Sequence, residues 1–298
     1  MELGTQPVDR RQYQRARLLR TASVVVLAVC VLIQAAALAK YAQDQEYLKA
    51  LMSSLASPSI PASQQAEAIS KYLALKPDDS NNAYFLLPIF GVLRPSARAV
   101  ADQGGDCADR SRLMVVLLET RHIHASKWAL YTPSGQPHHA VVELRSEAGN
   151  MVIDPLYNMW FPKPGGGFYD IDDLRADPSI LRNRVLTLQA DTADQLNKRI
   201  DWYPLDQYVY NNARRINWNK SIILLAVYRV LHAVIGARAD HIWRPEYAEQ
   251  PALMIVYGFL PLDGVALFAL AWAGRKRKRA AERESVPVGF KTERTSSY

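Results

Sequence analysis

Two apolar stretches, one near each end of the chain and each flanked outward by basic residues, constrain this sequence more than any other feature. Residues 21–39 form 19 consecutive positions without a formal charge, just long enough at about 1.5 Å per residue to span a hydrocarbon core. Residues 251–273 form 23, interrupted only by Asp263 and followed, after Gly274, by Arg275-Lys276-Arg277-Lys278-Arg279. Positive charge is retained on the cytoplasmic side of a membrane. The sequence therefore predicts two transmembrane helices, basic cytoplasmic tails at 1–20 and 274–298, and an extracytoplasmic region between them. In a bacterial cell this means the inner, cytoplasmic membrane with the domain facing the periplasm, so the lipid bilayer is the first expected partner. Ala35-Ala36-Ala37-Leu38-Ala39 also fits a signal-peptidase site, but the apolar run is long for a signal and favours an anchor. A carboxylate near the middle of a span costs about 3 kcal/mol on an insertion scale. With Pro261 and Gly264 beside it, Asp263 reads as a kink whose carboxylate faces a helix of another envelope membrane protein.

Composition narrows the rest. A chain of 298 residues that is 49% hydrophobic and 22% charged can bury a sizeable core, which excludes disorder for most of its length. Its net charge of +7 sits in the tails, which hold thirteen basic and five acidic residues, leaving the 253 residues between them at −1. No basic face large enough for nucleic acid follows from that balance.

Between the spans the chain divides into an extracytoplasmic domain at 40–187 and a helical region at 188–250. Residues 40–100 read as short helices and loops: an amphipathic stretch at 63–75, a polar turn at Lys76-Pro77-Asp78-Asp79-Ser80, and an apolar run at 84–93 ending before Pro95. Residues 108–120 have helical periodicity, with Leu113, Val116, Leu117 and Thr120 on one face and Arg110 and Arg112 off it. Gly104-Gly105-Asp106 precedes them, making Asp106 the expected N-cap and placing Cys107 in the first turn. Strand-like runs follow at 123–132, 139–144 and 151–153, separated by turn signals at Pro133-Ser134-Gly135 and Ala148-Gly149-Asn150. A helix followed by an antiparallel sheet is an α+β pattern. Further on, a helix start is expected at Asp170. The stretch 217–235 has a wide apolar arc but carries Arg229 and His232; it reads as too short and too polar to span, and as either packed on the domain or lying in the membrane interface.

Cys30 lies in the first span, so Cys107 is the sole thiol of the extracytoplasmic region. An unpaired thiol in an oxidising compartment is exposed to oxidation, and retaining one needs a chemical reason. Nucleophilic catalysis supplies it: a helix N-terminus favours the thiolate and an imidazole can pair with it. His138-His139 opens a strand thirty-two residues on, and Asp154 closes the next. A Cys on a helix start facing a His and an Asp on adjacent strands is what a thiolate–imidazolium–carboxylate triad requires.

These residues carry a resemblance. Gly105-Asp106-Cys107-Ala108-Asp109-Arg110-Ser111, then His139-Ala140-Val141-Val142-Glu143-Leu144, then Val152-Ile153-Asp154-Pro155 resembles the core of the transglutaminase-like superfamily, over roughly residues 84–160. The resemblance implies a papain-like α+β core between the two transmembrane helices, with Cys107 as nucleophile, His139 as general base and acid, and Asp154 orienting the imidazole. His139 rather than His138 fits, because Ala140 and Glu143 then stand where the motif has them, and adjacent strand residues face opposite ways. The Cys107 backbone N–H is one expected oxyanion donor, with Gln103 a candidate for a second. Ala108 and Asp109 stand where many relatives carry a bulky aromatic, which leaves acyl-acceptor specificity open.

His122, His124, His138 and His139 lie within eighteen residues, but their placement at a helix–strand junction and on alternate strand faces disfavours zinc. No calcium-loop pattern occurs, and no cofactor or metal is expected. Two functions remain. The first is a membrane-anchored thiol enzyme that hydrolyses, or transfers, an amide or peptide acyl group through an acyl-enzyme at Cys107, with a peptide or protein substrate. The second is a catalytically silent scaffold or docking domain in an envelope complex for polysaccharide export or modification.

Overall fold

The computed structural model describes residues 10–78, 94–191 and 195–285. The apolar run at 84–93 and the turn residues Asp79 and Ser80 lie outside them, as do the outer parts of both tails. The chain forms two compact units, residues 1–38 with 255–298, and residues 39–254.

The first unit is built from two helices. Helix α1, Arg10–Leu55, contains the first apolar stretch, and helix α8, Pro251–Ser285, contains the second. Along α1, Ser23, Cys30 and Ala37 are buried at seven-residue intervals; along α8, Ala266 and Ala273 repeat the interval. Small residues at such spacing let helix backbones approach in a bilayer. Large apolar residues such as Leu32, Val25, Val265 and Phe268 face outward, as lipid contact requires. Helix α1 does not stop at residue 39, as the reading of short helices over 40–100 expected. It runs on to Leu55 because no Gly or Pro interrupts residues 40–55, and Leu48 and Met52 then give it a buried face in the second unit.

The second unit is α+β. After α2 (Ala62–Ala74) and α3 (Ala97–Gln103), the Cys107-bearing helix α4 (Cys107–Glu119) leads into a four-stranded antiparallel meander. Its strands are β1 (Ala125–Tyr131), β2 (Pro137–Ser146), β3 (Gly149–Asp154) and β4 (Met159–Trp160). The β2–β3 hairpin turns on Glu147-Ala148, with Gly149 at φ +104° accepting a conformation that a side chain would strain. Period-two alternation splits the sheet's contacts. Val142, Leu144, Met151 and Ile153 pack against α1, α2, α3 and α4. Trp128, Leu130, Val141 and Val152 pack on the opposite face against α5 (Ile171–Ala176), α6 (Pro178–Ala190) and the segment around Ile200–Ala213.

Helix α7 (Ile222–Ile235) is capped by Ser221 and buries only Tyr228. Its outward arc of Ile222, Ile223, Val227, Val230 and Val234 is exposed. By length and composition, three helices among the described residues are apolar enough to cross a membrane: Gln14–Leu55, Pro251–Lys278 and the run Ile222–His241. The third is not one straight rod. Gly236, at φ +61°, ends α7, and the following 3₁₀ turn folds back so that Tyr228 donates to Asp240 at 3.0 Å. Twelve residues of continuous helix would hold these two about 18 Å apart. Helix α7 alone is 14 residues, about 21 Å against a hydrocarbon core of about 30 Å.

Candidate active site

The start of α4 is held by three local devices. Asp106 caps it, its carboxylate accepting the Asp109 N–H at 2.8 Å. Gly104 at φ +87° and Gly105 make the turn from α3; a Cβ on Gly104 would lie 2.1 Å from the Pro77 carbonyl oxygen, so only glycine fits. Arg110 is fully buried and donates to the carbonyls of Gly105 (2.9 Å), Leu73, Lys76 (2.7 Å) and Pro77 (3.0 Å) and to the Asp78 carboxylate at 2.7 Å. Arg112 is buried too, bonded to the Pro95 carbonyl and lying 3.4 Å from Asp109. Helical periodicity places both arginines off the apolar face, but the helix is enclosed on all sides, and backbone carbonyls from other segments satisfy the guanidinium groups.

Cys107 is therefore presented, partly exposed, at a rigid helix N-terminus. Its own N–H belongs to the first turn, where no intrahelical acceptor exists. His139 and Asp154 come together from the sheet. Val142 pairs with Ile153, so one step further Asp154 lies on the face of Val141 and His139. His139 Nε2 and Asp154 Oδ2 are 2.6 Å apart, both side chains fully buried. The other carboxylate oxygen accepts the Leu156 N–H at 3.1 Å and the Tyr157 N–H at 3.3 Å, which fixes Asp154 toward the imidazole.

Burial alone pulls the His139 pKa down, but the Asp154 carboxylate outweighs it and, with a further push from Cys107, raises it to about 10. The imidazole is thus an imidazolium at neutral pH. Its Nδ1 has no regular hydrogen-bond partner among the described residues and lies within electrostatic reach of the Cys107 sulfur. The ring stacks on Tyr208, centroids 4.1 Å apart and planes 5° from parallel, and meets Tyr157 edge-on at 5.8 Å.

A cavity of about 250 Å³ opens where α4 meets the beginning of β2, lined by Cys107, Ala108, His138, His139 and Ala140 among others. His138 is exposed at its edge, 5.7 Å from the Tyr208 ring. Gln103 is not brought in: the Gly104-Gly105 turn redirects the chain, leaving it exposed at the end of α3 and outside the cavity lining. His122 and His124 lie in and just after the turn that follows α4, also outside the lining. Asp263 lies in the first unit, where Gln34 of α1 donates to it at 2.7 Å and to the Val256 carbonyl at 3.3 Å. Its Gln34 neighbour belongs to the chain's own first apolar helix.

Tyr208, Tyr157 and Arg110 escape a reading by motif. The only advance signal for Tyr208 is the aromatic density of residues 202–210, and nothing local ties that segment to His139, whereas Tyr157 stands three residues after Asp154. Comparison with family models, with curated proteins and with solved structures finds no match to this chain.

Proposed function

We propose that this chain is a membrane-anchored, extracytoplasmic thiol enzyme of the transglutaminase-like, papain-like kind, hydrolysing an amide or peptide bond through an acyl-enzyme at Cys107. The observation that carries the reading is the buried His139–Asp154 pair beside a cysteine at a capped helix N-terminus, opening on one cavity. Structural ion pairs are also buried in proteins, but rarely with a free thiol in reach of the imidazolium.

In this mechanism the Cys107 thiolate attacks the substrate carbonyl carbon, and the carbonyl oxygen takes up the negative charge beside the Cys107 N–H and the positive end of α4. The C–N bond breaks as His139 gives its proton to the departing amine. Water then attacks the thioester, His139 takes the water's proton, and the acid leaves with the thiolate restored. Asp154 holds the ring oriented throughout. Hydrolysis is favoured over transfer because water is abundant on the extracytoplasmic side, where this reading places the domain. The apolar helices support anchoring in a bilayer, and the basic residues outside each span support cytoplasmic termini. The outward apolar arc of α7 supports a place in the membrane interface.

A peptide thioester given to the detergent-solubilised chain should leave its acyl group on Cys107, detected by peptide mass. Cys107→Ser should show none, and His139→Ala should acylate about a hundredfold more slowly or worse. No acyl adduct on the wild type would reject the enzyme reading and favour an envelope scaffold.

A further inference from the structure

The cavity beside Cys107 is strongly cationic although the region between the tails has a net charge of −1. Six basic residues line it, Arg94, Arg112, Lys127, Arg215, Lys220 and Arg244, against one acidic lining residue, Asp106. Five of the six are partnered. Arg94 lies 2.6 Å from Asp106, Arg112 3.4 Å from Asp109, and Arg215 3.3 Å from Glu143; Lys127 and Arg244 share Glu249 at 3.2 and 2.8 Å. Four carboxylates thus answer six cations. Lys220 makes no hydrogen bond or ion pair among the described residues and its side chain is exposed.

The crowding has an electrostatic signature. Lys127, desolvated and offset only in part by Glu249, has its pKa lowered to about 8. Burial and, after it, the neighbouring cations disfavour the charged form of Lys127, and an anion in the cavity would favour it. Lys127 and Ala129 alternate onto the α4 face of the sheet, opposite the His139–Asp154 pair. Cys107, His139 and the six cations line one and the same cavity.

We propose that the substrate is an acidic peptide, bound with a carboxylate near the scissile amide against Lys220 and the surrounding cations. This rests on the thiol-enzyme reading and names its substrate class. The carboxylate is favoured over other anions because it can belong to the same peptide whose amide is cleaved.

The test uses two alkylating probes that differ only in charge, iodoacetate and iodoacetamide, on the full chain in detergent, with modification of Cys107 read by peptide mass. The imidazolium alone favours the anionic reagent, so the quantity compared is the rate ratio, iodoacetate over iodoacetamide, in wild type and Lys220→Ala. The expected result is a ratio about three- to tenfold lower in the variant. In the wild type, without any substitution, the ratio should also fall as salt rises from about 0.02 to about 0.5 M. A ratio unchanged by Lys220→Ala and by salt would overturn the inference while leaving the enzyme reading intact. Slow reaction with both probes, like a free thiol, would instead reject the enzyme reading itself. Competition then identifies the anion: acetylated triglutamate should protect Cys107 from iodoacetamide where triglutamine does not. Protection by inorganic phosphate alone would contradict the carboxylate assignment.

Discussion

His139 loses its contact with water on folding and gains the Asp154 carboxylate at 2.6 Å, so its proton is held more tightly in the folded chain than in the unfolded one. Its pKa rises from an ordinary value of about 6.5 to about 10. A group with a raised folded pKa contributes stability that is fully present below its unfolded value and is lost as pH rises through the folded one. The contribution of His139 to stability should therefore fall between about pH 6.5 and about pH 10, by an amount on the order of a few kcal/mol. Thermal midpoints across that window should decline in wild type and be flatter in His139→Gln, where no proton is exchanged. Equal slopes in the two proteins would mean that the His139–Asp154 pair does not hold the proton. In the mechanism we propose, the same proton is the one given to the leaving amine.

The elements divide by how local their causes are. Asp106 as N-cap, Cys107 in the first turn of α4, the hairpin turns and the two apolar helices were legible because each follows from residues a few positions apart. The meeting of His139 with Asp154 was expected from the resemblance rather than from any local pattern. The unbroken course of α1 to Leu55 had a signal in the absence of Gly and Pro over 40–55, yet the polar sequence after the span reads as a boundary. The burial of Arg110 and Arg112 could not be read, because their partners are carbonyls of Leu73, Lys76, Pro77 and Pro95, set by tertiary packing. Tyr208 on the His139 ring is another contact made only by the folded chain. Asp263 shows the gap in the membrane helices: its cost in lipid was evident, its donor Gln34 was not. Removing one partner of that bond should cost more than removing both. Gln34→Leu should lower resistance to unfolding in SDS-containing mixed micelles by about 1 kcal/mol, and Gln34→Leu with Asp263→Leu should restore it. A double variant as weak as the single would contradict this role for the pair.

At the scale of the whole molecule, charge is sorted by place. The excess of basic residues lies in the tails outside the two apolar helices, and the nearly neutral region between them gathers cations at the cavity beside Cys107. Both features suit an enzyme held at a membrane surface and facing an acidic peptide, and both depend on Cys107 being a working nucleophile. The rate of Cys107 alkylation by iodoacetamide as a function of pH, in wild type and His139→Ala, tests that most directly. The expected result is rapid reaction persisting to about pH 6, well below the ordinary thiol value of about 8.5, and its disappearance in His139→Ala. Alkylation that rises only near the ordinary thiol value, equally in both proteins, would contradict an activated thiolate–imidazolium pair.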